Sequence, residues 1–276
     1  MGNQKIAQTT KDQTGRDTIM VRTDKTIRDL MNAEPSSRWD VEYWDPKYEK
    51  HLIEIGKKYK IDKLGNFLTR CNQGDGLRSK KGDRYVQKGI PMVSVVDINF
   101  TGINYSALKQ IIESHYQRIA SAKPNYGDIL IVRSGAGSIG KSAIFLGNPK
   151  GEKIGITGHI NTLGLKKVNP FFIEVFLKTD FGQSQIKRYE NGVSGQTEFT
   201  QDSIAEIKIP IIPDLVQENI ESEYKKMSSY HDKAMDAKKT DDEAGYKKNI
   251  EIAEKMLKDL ITKTEAVIRG EQKDVI

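Results

Sequence analysis

GDILIVRSGAGSIGKSAI, residues 127–144, carries the clearest structural signal in the sequence. Two short apolar runs, 128–133 and 142–146, flank a glycine-rich turn. Apolar runs on both sides of such a turn predict a β-hairpin. The hairpin would present Arg133 and Lys141.

The same stretch also matches a phosphate-binding loop. Gly135 to Ser142 satisfies the pattern G-x-x-x-x-G-K-[ST] and follows a predicted strand. In such a loop the Lys and Ser open a helix whose N-terminal amides face the phosphate. Here Lys141 and Ser142 lead into a short apolar run that ends in a turn at Pro149. We therefore favour the hairpin, and a nucleotide-binding ATPase is the alternative interpretation.

Outward from this hairpin the chain alternates between strand-like and helical segments. Further short apolar runs between turn residues predict strands at residues 91–98, 162–168 and 207–212. Apolar residues at helical spacing predict helices at residues 46–59, 105–119 and 170–189. Residues 38–213 are therefore predicted to form one mixed α+β domain. Residues 1–37 lack apolar periodicity and are expected to be flexible or weakly packed.

Residues 214–270 have the composition of a long exposed helix, followed by a short tail at residues 271–276. The apolar positions of this region form a heptad seam typical of a coiled coil, made of Ile250, Ala253, Leu257, Leu260, Thr264 and Val267. One continuous helix would span roughly 84 Å at 1.5 Å per residue. The Thr240-x-x-Glu243 pattern can cap a new helix, so a hairpin of two helices is the alternative.

The positive charge is concentrated in the first part of the chain. The whole sequence has 44 Lys and Arg against 38 Asp and Glu, a net charge of +6. Residues 1–213 hold 32 basic and 23 acidic side chains, whereas residues 214–276 hold 12 and 15. A basic body attached to a nearly balanced helical region favours an anionic partner for the body alone.

Several classes of protein are excluded or disfavoured. The single cysteine, Cys71, cannot form an internal disulfide, and the polar N-terminus has no apolar core of a secretion signal. No apolar stretch approaches the roughly 18 residues of a membrane helix, so a cytoplasmic protein without a membrane span is expected. The four histidines show no metal-ligand spacing, and no catalytic group of residues is convincing.

Four stretches in order resemble the specificity subunits of Type I restriction-modification systems. They are GIPMVSVVDI at residues 89–98, residues 127–144 quoted above, NGVSGQ at 191–196 and IKIPIIP at 207–213. The resemblance covers about residues 60–268, and its order matches one target recognition domain leading into a long helical spacer. Members of this family usually hold two such domains and two spacers, so the sequence resembles a half-length form.

The resemblance implies a non-catalytic protein that binds double-stranded DNA and has no cofactor of its own. A methyltransferase subunit using S-adenosylmethionine and a restriction subunit using ATP and magnesium would supply the chemistry. Two copies joined through antiparallel helices along the heptad seam would read an interrupted palindrome. Pairing with a different half-subunit, which gives an asymmetric target, and a stand-alone DNA-binding or regulatory protein are the alternatives.

Within the resemblance, basic and polar loop residues are the candidates for DNA contact. Lys and Arg suit the phosphates, Arg suits guanine and Gln suits adenine. The predicted residues are Lys80, Lys81, Arg84, Lys88, Arg133, Ser134, Lys141, Lys187, Arg188, Ser194, Gln196 and Thr197.

Overall fold

The structure is a computed structural model that describes most of the chain. The described residues are 7–11, 17–21, 43, 46–78, 82–135, 137–148, 151, 153–190 and 197–276. Near the N-terminus, β1 (Ala7–Lys11) pairs antiparallel with β2 (Asp17–Val21), in a segment where the sequence predicted no regular structure. Threonine, isoleucine and valine favour strands even where no apolar periodicity is present, so these segments can pair although their sequence has no such periodicity.

An antiparallel four-stranded sheet forms the centre of the molecule. Its strands lie in the order β4 (Leu68–Gln73), β11 (Ile160–Leu165), β8 (Ile129–Val132) and β9 (Ser142–Ile144). The pairing of β8 with β9 confirms the predicted hairpin around the glycine-rich turn. All four residues of β8 are buried because the sheet is covered on both faces.

The two faces of this sheet belong to two different apolar cores. Ile129 and Ile131 point into the larger core, which the helices cover, whereas Leu130 and Val132 point into a smaller one. A second sheet covers the smaller core. It has the strand order β10 (Gly155–Ile156), β6 (Ile90–Val93), β7 (Lys109–Ile111) and β5 (Tyr85–Val86).

Helices and one small sheet enclose the larger core. The helices are α1 (Pro46–Ile55), α3 (Pro170–Lys178), α4 (Asp180–Tyr189) and α5 (Gln201–Glu206), and β3 (Ile61–Lys63) pairs with β12 (Lys208–Pro210). The predicted helix at residues 170–189 is interrupted at Thr179, whose side chain caps α4 by accepting a hydrogen bond from the Gly182 amide at 3.2 Å.

The helix predicted at residues 105–119 is wrong in its first half. Residues 109–111 form β7, which pairs with both β5 and β6, and only α2 (Glu113–Ile119) is helical. Ile111 and Ile119 are both buried in the smaller core, so the apolar spacing fitted a helix although the strand pairing prevailed. Tertiary pairing overrides local periodicity in such short segments.

The C-terminal region is a hairpin of two helices, so the single-helix prediction is wrong. Helix α6 (Asp214–Lys239) ends at Thr240, and α7 (Glu243–Arg269) begins after Asp242, whose carboxylate accepts a hydrogen bond from the Gly245 amide at 2.9 Å. Asp242 therefore caps the start of a new helix. The residue before it, Asp241, has a positive φ and lies in the turn between the two helices. Each helix has 26 or 27 residues and is about 40 Å long.

The heptad seam packs inside the chain, which corrects the predicted interface between two copies. Helix α7 lies against α6 and α3 of the same chain. The seam residues Ala253, Leu257 and Val267 have no exposed surface, and Leu260 and Thr264 are also buried, while Ile250 is partly covered. Folding back lets each helix bury the apolar face of the other, and this removes the need for a second chain.

The tail also packs against the hairpin. Val275 is fully buried, and the amide of Asn219 on α6 donates a hydrogen bond to Asp274 at 2.7 Å. None of the helices in the described ranges is long and apolar enough to cross a membrane.

Candidate nucleic-acid interface

Several loops converge at one end of the central sheet. Strand pairing places the end of β4 and the end of β8 beside the start of β11, with Gln73 opposite Asn161 and Val132 opposite Ile160. Residues 74–78, 133–135, 137–141, 157–159 and 197–199 therefore meet there, and we call them the loop-end surface. A hydrogen bond of 2.7 Å from the Phe199 amide to the Arg133 carbonyl attaches the last of these segments.

The described residues of the glycine-rich turn, 135 and 137–142, lack the geometry that binds a nucleotide phosphate. Ser142 starts strand β9, so the helix that a phosphate-binding loop requires is replaced by a strand. The Gly140 amide donates to the Val132 carbonyl at 3.0 Å, and the Lys141 amide donates to the Ser138 carbonyl at 3.1 Å. Because these amides are already bonded within the hairpin, the structure contradicts the nucleotide-binding interpretation.

The predicted contacts in the hairpin differ in how accessible they are. Lys141 is exposed and forms no ion pair with any described residue. The Arg133 side chain is only 14% exposed, and its guanidinium lies 2.8 Å from the carboxylate of Glu198. Thr197 is half-buried beside it. Lys141 is therefore available to a phosphate, whereas Arg133 mainly fastens residues 197–199 to the sheet.

Ser134 forms a hydrogen bond with a histidine that the sequence patterns did not indicate. Its hydroxyl oxygen lies 2.7 Å from Nδ1 of His159, and the His159 ring is exposed. The Arg133 amide donates to the His159 carbonyl at 2.9 Å. A lone histidine 25 residues away in the sequence has no pattern that could have indicated this contact.

Ion pairs and hydrogen bonds hold the two ends of the loop between β4 and β5. Arg118 on α2 donates to Asp75 at 3.0 Å and forms a second, short ion pair with Asp83. Asp83 accepts a hydrogen bond from the Arg78 amide at 2.7 Å. The hydrogen bond from Arg118 holds the pKa of Asp83 below its ordinary value. The loop therefore has a defined base, although its residues are distant in sequence from α2.

The predicted residues of this loop are partly described. Arg84 and Lys88 are exposed, at either end of β5. Lys80 and Lys81 lie outside the described residues. The two described side chains are thus free to reach a phosphate.

Only part of the set predicted near residue 190 suits a surface contact. Lys187 is exposed and lies 3.0 Å from Glu190. Arg188 is buried, with its guanidinium 4.7 Å above the Tyr43 ring and its Nε donating to the Tyr43 carbonyl at 3.1 Å. Its position inside the domain does not fit the DNA contact predicted from sequence. Ser194 and Gln196 lie outside the described residues.

The described residues support neither a nucleophilic cysteine nor a metal site. Burial raises the pKa of the Cys71 thiol to about 12, so the thiolate that a nucleophile requires is disfavoured. Among the described residues, no three or more His, Cys, Asp and Glu side chains are grouped to hold a metal ion.

Comparisons with known proteins give a partial likeness in fold. No protein-family model and no curated protein matches the chain. The S subunit of a Type I restriction-modification system from M. genitalium is similar over 65% of this chain and 40% of its own, with TM-score 0.41 and 12% identity. The HsdS subunit from Thermoanaerobacter tengcongensis is similar over 89% of this chain and 57% of its own, with TM-score 0.39 and 12% identity. The chain spans less than two thirds of either protein.

Proposed function

We propose that this protein is a DNA-recognition subunit of a Type I restriction-modification complex and is not itself an enzyme. The observation that carries the proposal is the loop-end surface, where the exposed Lys141 and the hydrogen-bonded pair of Ser134 and His159 lie at the same end of the central sheet. Exposed cations suit DNA phosphates, and neighbouring polar side chains suit base edges. The four stretches that resemble specificity subunits name the class of complex.

The chemistry in this proposal comes from partner subunits. A methyltransferase subunit would bring S-adenosylmethionine, and a restriction subunit would bring ATP and magnesium. The recognition domain would place these partners at a chosen DNA sequence. The excess of basic side chains in residues 1–213 is consistent with DNA, an anionic partner, binding to this domain.

A bipartite target requires two recognition domains, and the resemblance to specificity subunits covers one of them in this sequence. We therefore propose that two copies, or this chain and a different half-subunit, act together. The heptad seam is buried within the chain, so pairing would use the outer surface of the helix hairpin or of the domain. Two identical copies would read an interrupted palindrome, whereas two different ones would read an asymmetric sequence.

The first experiment measures the binding of the purified full chain to duplex DNA at several salt concentrations. Binding is expected to weaken as salt rises from about 50 mM to 200 mM, because each phosphate contact releases condensed counterions. Replacing Lys141 with Ala should reduce the slope of log affinity against log salt by about one. Lys248→Ala, at an exposed position on α7, is the matched control and should leave the slope unchanged.

Two results would count against the proposal. Affinity that is indifferent to salt would exclude phosphate contacts. ATP binding that is lost in Lys141→Ala would instead support the nucleotide-binding alternative.

A second experiment tests the partnership. Methylated positions are mapped across a genome with the protein present and with its gene deleted. Loss of methylation at one bipartite sequence is expected, and the two halves of that sequence report whether the pair is symmetric. An unchanged methylation map would favour a stand-alone DNA-binding protein.

A further inference from the structure

His159 is exposed on the loop-end surface, yet its backbone is held on both sides. The side-chain amide of Gln73 donates to the Gly158 carbonyl at 2.8 Å, and the backbone amide of Arg133 donates to the His159 carbonyl at 2.9 Å. The Ile160 amide, just after it, donates to the Thr157 carbonyl at 3.1 Å. A side chain on such a braced turn loses little conformational freedom when it binds a ligand.

The ring orientation of His159 is also determined. Its Nδ1 lies 2.7 Å from the Ser134 hydroxyl oxygen. No other hydrogen bond of that hydroxyl occurs among the described residues, so its proton is free to be donated to Nδ1. In the tautomer in which the Ser134 hydroxyl donates to Nδ1, the ring proton is on Nε2, on the opposite side of the ring.

We infer that His159 reads a base of the DNA target and that Ser134 is the residue that positions it. This inference rests on the proposed function and assigns one specificity-determining residue within it. The Nε2–H group would donate to an acceptor on a base edge. In the major groove N7 is an acceptor on both purines, and guanine adds O6, so a purine suits this donor.

The neighbouring basic side chains have different roles at this surface. The guanidinium of Arg133 lies 2.8 Å from the carboxylate of Glu198 and stabilises the segment at residues 197–199. Lys141 lacks an acidic partner among the described residues and suits a phosphate. His159 is then the exposed side chain that combines a directed donor with a fixed position. Phosphate contacts set affinity, while such a donor sets base preference.

The test is selection of binding sites from a pool of random duplex DNA by the full chain and its variants. The wild-type protein should require a purine at one position of the selected sequence. His159→Ala should reduce that preference about tenfold at that position and leave the other positions unchanged. Ser134→Ala should weaken the same preference, and Ser134→Thr, which keeps the hydroxyl group, should restore it.

Lys141→Ala is the matched control and should lower affinity equally for all sequences. Because His159 is exposed, its replacement should leave the thermal melting curve unchanged, and this measurement identifies a variant that is merely unfolded. Equal base frequencies for wild type and His159→Ala at every position, with binding retained, would overturn the inference alone. No sequence selection by the wild-type chain would overturn the proposed function together with it.

Discussion

Glu174 on α3 is completely buried and faces one cation. Its carboxylate lies 3.1 Å from the Lys178 ammonium group, which is also mostly buried. Burial raises the pKa of Glu174, and the charge of Lys178 opposes this change. The Lys178 ammonium also donates to the Ser142 carbonyl of β9 at 2.8 Å, so the pair connects the helix to the sheet.

Breaking this pair should destabilise the protein strongly. Lys178→Met leaves the buried carboxylate without a counter-charge, and we expect a loss of about 3–5 kcal/mol in the free energy of unfolding. The double variant Glu174→Gln with Lys178→Met should lose less than the single variant, because no buried charge remains. Urea unfolding measures both, and a double variant less stable than Lys178→Met would contradict this explanation.

At the scale of elements, the helix hairpin depends on contacts inside the chain. Leu257 of α7 has no exposed surface and belongs to the same core as α3 and the central sheet. Leu257→Ala should reduce the free energy of unfolding by about 2–5 kcal/mol, because it leaves a cavity. Lys258→Ala, next to it on the exposed side, should cost less than about 0.5 kcal/mol.

Denaturant unfolding at several protein concentrations checks this prediction. A loss of stability that is independent of concentration agrees with packing inside one chain. A fall in the dimer fraction without loss of stability would restore the interface between copies that the heptad pattern predicted.

A histidine connects α6 to the loop between β6 and β7. His231 is buried, with Nδ1 2.8 Å from the Thr101 hydroxyl and Nε2 3.0 Å from the Ile103 carbonyl. The neutral ring satisfies both contacts, by accepting from the hydroxyl and donating to the carbonyl. Gly102 between them is required, because a Cβ there would lie 3.0 Å from the ring.

The contact should make stability depend on pH. Burial lowers the pKa of His231, so the unfolded chain binds this proton more tightly than the folded one. The stability that the neutral His231 ring contributes is therefore complete above a pH of about 6.5. It is lost as the pH falls through the lowered pKa, by at most about 1.4 kcal/mol per pH unit. Urea unfolding from pH 7.5 to 5 should show this slope, and His231→Gln should flatten it. An equal slope in both proteins would assign the dependence to other groups.

At the scale of the whole molecule, the mixed α+β domain and the helix hairpin share one core. Phe172 of α3, Ile129 of the central sheet and Leu260 of α7 belong to the same buried cluster. We expect a chain that ends at residue 213 to lose its fixed packing, because the apolar face of α3 would be exposed to water. Near-UV circular dichroism and dye binding measure this loss, and cooperative unfolding of the shortened chain would contradict it.

The sequence predicted correctly those segments whose length and apolar pattern favoured one secondary structure. The apolar runs around the glycine-rich turn are too short for helices and were confirmed as β8 and β9. Residues 105–119 were ambiguous, because Ile111 and Ile119 are buried whether their segment is a strand or a helix. The sequence could not show that Lys141 is exposed and Arg188 buried, because both are basic residues near glycine-rich stretches of sequence.

The sequence by itself determined the mixed α+β class, the hairpin at its centre and the apolar faces of the C-terminal region, because these depend on local spacing and turn residues. Only the tertiary structure decided that these faces meet within one chain, because a three-residue turn at 240–242 reverses the direction of the chain between α6 and α7. Only it brought Ser134 to His159 and Arg118 to Asp75, because strand pairing joins residues that are far apart in sequence. Contacts of this kind depend on which segments are neighbours in space, and no local pattern records that.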